Sequence, residues 1–139
     1  MSQAAASIFA RIAAGEIPCH KVFESAHVLA FLDINPLAEG HTLVIPKRPV
    51  ERLEDLTPDE VAELARSLVV VARRVLEVTE APAYNILQNN GAAAGQDVPY
   101  VHFHIVPRRP GDGLGYRWKA QKGEPARLAE LAQRLRASP

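Results

Sequence analysis

Two histidines one residue apart, His102 and His104, are the chemically sharpest feature of this sequence. They lie in Tyr100-Val101-His102-Phe103-His104-Ile105-Val106, where polar and apolar residues alternate with a period of two, as on a β-strand with unlike faces. Tyr100, His102 and His104 then share one face, while Val101, Phe103 and Ile105 point into the core and anchor the strand. The two imidazoles stand side by side, roughly 6–7 Å apart at Cα. A neutral imidazole is a good nucleophile toward phosphorus near pH 7, and a second can donate a hydrogen bond or a proton to charge developing on oxygen. With His41 the pair also offers three nitrogen ligands, as in a catalytic zinc site. Spacing alone does not choose between these chemistries, or between either and a histidine pair without function.

The flanking sequence supplies elements to hold such a strand. Ile8, Phe9 and Ile12 recur at helical spacing after Ser7, a capping residue, and before Gly15, a stop. Three β-rich runs follow, Lys21 to Glu24, Val28 to Asp33 and Thr42 to Pro46, separated by turn-forming segments that make them antiparallel neighbours. The clearest helix runs from Thr57 to about Val78: Thr57 is the N-cap, Pro58 opens it and Glu60 completes a capping box. Leu64, Leu68, Val71 and Val75 form its buried stripe. Tyr84 to Leu87 reads as a fourth strand, and Tyr100 to Val106 as a fifth, ended by Pro107 and Pro110. Between them, Asn89 to Gln96 is rich in small residues that leave backbone N–H groups uncovered, as a loop approaching a phosphate or sugar requires. Glu124 to Arg136, with Leu128, Leu131 and Leu135, predicts a last helix on the surface or at a partner interface.

Bulk properties bound the function. The chain has 139 residues, 47% of them apolar, which suits one domain spanning 1–139 with its own core. Lys+Arg and Asp+Glu both number 16, so no excess of positive charge is available to hold a long nucleic acid. Cys19 is the single cysteine, which excludes an internal disulfide and fits a reducing, cytoplasmic setting. The alanine-rich start lacks a basic leader, and no run predicts a membrane span.

Beyond these properties, Gly95-Gln96-Asp97-Val98-Pro99-Tyr100-Val101-His102-Phe103-His104-Ile105-Val106-Pro107-Arg108 resembles the signature of the histidine triad (HIT) family. The resemblance extends to Ser7-Ile8-Phe9, Gly15-Glu16-Ile17-Pro18, Phe31-Leu32-Asp33-Ile34-Asn35-Pro36 and Gly40-His41-Thr42-Leu43-Val44-Ile45-Pro46-Lys47, in the same order. It implies an α+β fold, a five-stranded antiparallel sheet with one long helix and one or two short ones, assembled as a homodimer. The activity it implies is cleavage of a nucleoside 5′-monophosphate from an amine, phosphate or other leaving group, through a nucleotidyl-histidine intermediate. The substrate is then a small nucleotide adduct of phosphoramidate type. Alternatives are a dinucleoside polyphosphate hydrolase and a catalytically weak nucleotide sensor.

Carried over by position, the resemblance makes His102 the nucleophile and His104 the group that stabilises the transition state and assists departure. His41 stands nearby to assist proton transfer, Asp33 is the ligand of the ribose hydroxyls, and Ile34 lines the base pocket, with Phe9 and Ile12 beside it. Asn89 and Gly95 match phosphate-contacting positions, with Gln96 and the Asp97 backbone close to them. The largest departure is Tyr100, which stands where the family's first histidine belongs and, with an ordinary phenol pKa of about 10, shuttles protons poorly near neutrality. Turnover reduced or altered, but not lost, is the expectation. Ser7 and Ala10 replace the Cys-x-x-Cys of many bacterial relatives, so no structural zinc is expected, nor any other metal or cofactor. Arg108, Arg109, Arg117 and Lys119 form a basic stretch suited either to extra phosphates or to a solvated tail.

Overall fold

The structure is a computed structural model and describes residues 2–115 and 118–139. Arg117 of the basic stretch therefore lies outside the described residues. A short helix α1 (Ile8–Ala13) leads into β1 (Lys21–Glu24), β2 (Val28–Leu32) and β3 (Thr42–Pro46). The long helix α2 (Pro58–Thr79) connects to β4 (Ala83–Gln88), β5 (Phe103–Arg108) returns beside it, and α3 (Pro125–Ala137) ends the chain. The five strands form one sheet in the order β1-β2-β3-β5-β4, every neighbouring pair antiparallel. α2 makes this order possible, because it carries the chain from β3 past the place that β5 later fills.

Each face of the sheet is covered. Val28, Ala30, Val44 and Ile105 pack against Leu64, Leu68, Val71, Ala72 and Val75 of α2. On the other face Leu29, Phe31, Leu43, Ile45 and Tyr100 pack against Phe9 of α1. Burial of these side chains is what holds both helices to the sheet, at about 1.5–3 kcal/mol for each large aliphatic or aromatic group. His104 is paired across the ladder with Leu43, so it emerges on the α1 face. There α1 covers only part of the sheet, and the uncovered part is the candidate site.

Helix ends follow the sequence signals. The Ser7 hydroxyl accepts from the N–H of Ala10, and at α2 the Thr57 side chain and Glu60 bond each other's backbone N–H groups in a full capping box. Glu60 also takes a bidentate bond from Arg48, at 2.5 and 2.8 Å. The Arg48 contact and the Thr57 N–H together hold the Glu60 carboxyl down at about 2, against 4.5 unperturbed. A group depressed in this way stabilises the fold above pH 4.5, and the contribution is lost as pH falls from there toward 2. Glu60→Ala is expected to lower stability by about 1 kcal/mol at pH 7. In urea titrations at neutral and acid pH, the difference from the wild type closes across that window.

Strand β5 departs from the sequence expectation at both ends. β5 starts at Phe103 and not at Tyr100, because the Tyr100 N–H closes a tight turn on the Val98 carbonyl and the Val101 N–H bonds Val50, beyond the end of β3. At its other end β5 runs through Pro107 to Arg108, opposite Ala83 and Tyr84. The proline is tolerated because the β3 ladder stops at Ile105, leaving no β3 carbonyl opposite it in need of a donor. Arg108 and Arg109 are both committed to the fold. Arg108 bonds Asp112, Asn85 and the Leu114 carbonyl, and Arg109 bonds the Thr79 and Glu80 carbonyls at the C-terminal end of α2.

Candidate active site

A cavity of about 460 Å³ opens between α1, the segment 17–19, β2 with the turn after it, and the start of β5. Of the residues that the resemblance assigns to the site, Phe9, Ile12, Asp33, Ile34, His41, Asp97, His102 and His104 line it; Asn89, Gly95, Gln96 and Tyr100 do not. Phe9, Ile12, Phe31, Leu43 and Val98 make its wall apolar, which suits a planar base. Ile17, Pro18 and Cys19 also belong to the wall, and no spacing pattern marked them.

The imidazole tautomers follow from what each ring nitrogen touches. His102 Nδ1 lies 2.6 Å from the Tyr100 backbone carbonyl. A carbonyl only accepts, so Nδ1 carries the proton and Nε2 keeps an unshared pair. The Phe9 ring meets the imidazole edge-on at 5.1 Å and fixes its plane. His41 Nδ1 accepts the Leu37 N–H at 3.0 Å, so the neutral ring carries its proton on Nε2. That proton points to His104 Nδ1, 2.9 Å away, and leaves the N–H of neutral His104 on Nε2. One imidazole thus presents a lone pair and its neighbour an N–H, with ring centres 4.9 Å apart.

Burial keeps the three rings neutral. Desolvation lowers His102 and His41 below 6.5, in His41 against the pull of Asp33, whose Oδ2 is 3.6 Å from Nε2. His104 is pushed down to about 4 by desolvation, with His102 and His41 adding to it.

The zinc set considered from sequence, His41, His102 and His104, is not the one brought together. Asp33, His41 and His104 are, with donor atoms within 4.8 Å of one another. That set fits a metal poorly. Leu37 occupies His41 Nδ1, so the neutral ring has only a protonated Nε2 to turn toward an ion.

Tyr100 is completely buried, with its hydroxyl donating to the Pro46 carbonyl at 2.5 Å and its ring edge-on to Phe9. Burial drives its phenol far above the usual value of 10. What reaches the site from Tyr100 is its backbone carbonyl, which orients His102. The neighbouring loop is held by amides. Gln96 accepts the Gly91 N–H and donates to the Glu51 carbonyl, while Asn90 Oδ1 accepts from Gln88 and from the Leu53 N–H. Asn89 donates to the Gly95 carbonyl at 3.4 Å. Gly40 before His41 admits no side chain, since a Cβ there would lie 2.6 Å from Thr79 Cγ2 on a backbone with φ +88°.

Residues 14–111 match the HIT domain family. The chain belongs to that family. It is 42% identical over 134 residues to the adenosine 5′-monophosphoramidase HNT1 of Saccharomyces cerevisiae, covering 96% of this chain and 82% of the yeast protein. It is 42% identical over 138 residues to the protein hit of Bacillus subtilis, covering 94% and 95%. A match to the adenylylsulfatase HINT3 of Arabidopsis thaliana, at 40% identity, takes in 77% of this chain and 54% of the plant protein. Among solved structures, a HIT family member from Bacillus subtilis superposes with a TM-score of 0.90 at 39% identity, over 96% of each chain. The five-stranded antiparallel sheet with one long and two shorter helices is therefore the HIT fold.

Proposed function

We propose that this chain is a nucleotide hydrolase that transfers a nucleotidyl group from a small nucleoside 5′-monophosphate adduct, of phosphoramidate type, to His102 and then to water. The observation that carries it is the His102 tautomer: Nδ1–H is spent on the Tyr100 carbonyl, so the Nε2 pair is available to phosphorus at neutral pH. In the first step the Nε2–P bond forms as the P–N bond breaks. The electron pair passes to the leaving nitrogen, which takes the Nε2 proton of His104 while the His41 N–H stabilises the ring left behind. Water then attacks phosphorus, returns a proton to His104 and frees His102. Asp33 serves the ribose hydroxyls, Ile34 and Phe9 the base, and Asn89, Gly95, Gln96 and the Asp97 backbone the phosphate side of the site. The names of the yeast and plant relatives support an adenosine base.

A homodimer and a cytoplasmic setting belong to the same proposal. Exposed Tyr84 and Ile86 on the outer strand β4, with Val69, Val70 and Val78 on α2, supply apolar surface for a second copy. Among the described residues no helix is long and apolar enough to cross a membrane, and Cys19 is a free thiol.

The test is intact-protein mass spectrometry after mixing with adenosine 5′-phosphoramidate, together with release of the nucleoside monophosphate. An adduct of nucleotidyl mass, or turnover, supports the enzyme; binding with neither supports the sensor. The pH profile is a second expected outcome. Protonation removes the Nε2 pair of His102, and that pKa is lowered by burial, so kcat/KM stays flat through neutrality and falls only below about pH 6.5. A rate that still rises with pH above 7 contradicts the neutral tautomers.

A further inference from the structure

The cavity has an unusual charge for a site that receives phosphate. Among the described residues its lining holds two carboxylates, Asp33 and Asp97, and three neutral imidazoles, but no lysine or arginine. The nearest arginines in sequence to the histidine pair, Arg108 and Arg109, are tied to Asp112, Asn85 and the end of α2. Asp33 is engaged: Oδ1 accepts the Asn35 N–H and Oδ2 faces His41. Asp97 is different, since its exposed side chain lines the cavity without a hydrogen bond or ion pair among the described residues. Its charge nonetheless reaches both His102 and His104.

We infer that Asp97 sorts adducts by the charge of their leaving group, favouring leaving amines that carry a second, positive charge and opposing groups that bring further phosphate, sulfate or carboxylate. The inference rests on the nucleotidyl-transfer proposal and adds a specificity residue to it. A backbone contact to the phosphate at position 97 could be made by any residue. A carboxylate that lines the same cavity as the two histidines, with no ion-pair partner among the described residues, acts in addition on whatever departs beside His104. Coulombic attraction between unit charges a few ångströms apart is modest in water but changes sign with the ligand, so a cationic and an anionic leaving group are separated by twice the single effect. Because Asp97 is exposed, salt weakens the discrimination.

Three adenosine 5′-phosphoramidates test this, with 1,2-diaminoethane, ethylamine and β-alanine as the leaving amines. In the wild type the diamine adduct is expected to exceed the β-alanine adduct in kcat/KM by about tenfold at low salt, the ratio shrinking as ionic strength rises. Asp97→Asn should bring the ratio to within about twofold, and Asp97→Lys should invert it. The same ratios are read as dissociation constants in the His102→Ala background, which needs no turnover. A wild-type ratio near one, or a ratio that survives Asp97→Asn, overturns the inference. Charge-ordered binding that Asp97→Asn abolishes, without turnover of any adduct by the wild type, sustains the role of Asp97 and refutes the hydrolase.

Discussion

Replacing His102 by alanine is expected to reduce turnover of an adenosine 5′-phosphoramidate by about four to six orders of magnitude, as loss of a covalent nucleophile does, and to abolish the nucleotidyl adduct. The expectation is this large because neither of the other two imidazoles can take its place. His104 presents an N–H to the cavity, and its lone pair is directed at His41. His41 has its own lone pair on the Leu37 N–H. Neither can attack phosphorus without a change of tautomer that breaks one of these bonds. The structural cost of the substitution is small by comparison. It removes one hydrogen bond to the Tyr100 carbonyl and the edge contact with Phe9, about 1 kcal/mol each, so thermal unfolding should show a folded variant. Folded and inactive is the expected result. A rate within tenfold of the wild type means that another group attacks.

The sequence was most informative where the determinants are local. Thr57-Pro58-Asp59-Glu60 carries its own stop and start chemistry, and α2 begins where that chemistry says it must. The three early strands lie where their alternation and turns put them, with β2 one residue shorter than expected. Period two also placed His102 and His104 on one face, and the fold keeps them there although His102 precedes the first ladder pair of β5. Other features depend on partners distant along the chain and were not legible. The insertion of β5 between β3 and β4 is one, since local pattern carries no strand order. The role of Tyr100 is another. Its spacing predicts a side chain on the histidine face, and its ring does pack there against Phe9, but Pro46, 54 residues earlier, holds the hydroxyl. The tautomers depend on two backbone groups, the Leu37 N–H and the Tyr100 carbonyl, whose positions no residue type announces. The arginines after the histidine pair looked available for phosphate. Asp112, Asn85 and the end of α2 engage the two nearest of them, and that too is a property of the folded chain.

His104→Ala should separate proton donation from simple charge stabilisation, because the two respond differently to the leaving group. If His104 Nε2–H is transferred to the departing nitrogen, its loss costs about 10²–10⁴ in kcat for an alkylamine, which cannot leave unprotonated. The cost should shrink to about tenfold for the p-nitrophenyl ester of adenosine 5′-monophosphate, whose leaving group needs no proton, because only the hydrogen bond to phosphate oxygen is then missing. Equal losses on both substrates would make His104 an electrostatic group and not an acid. His41 enters the same comparison one step removed. It touches His104 at 2.9 Å, and its N–H both fixes the His104 tautomer and stabilises the ring after proton transfer. In His41→Ala the His104 ring is free to place its proton on either nitrogen, so a share of the molecules presents the wrong one, and the deprotonated ring loses its hydrogen bond. The expected result is about a tenfold fall for the alkylamine adduct, little change for the p-nitrophenyl ester, and nucleotide binding within about twofold of the wild type. A His41→Ala loss that is equal for the two leaving groups would show that His41 supports the fold of the Asn35–Gly40 turn rather than the proton held by His104.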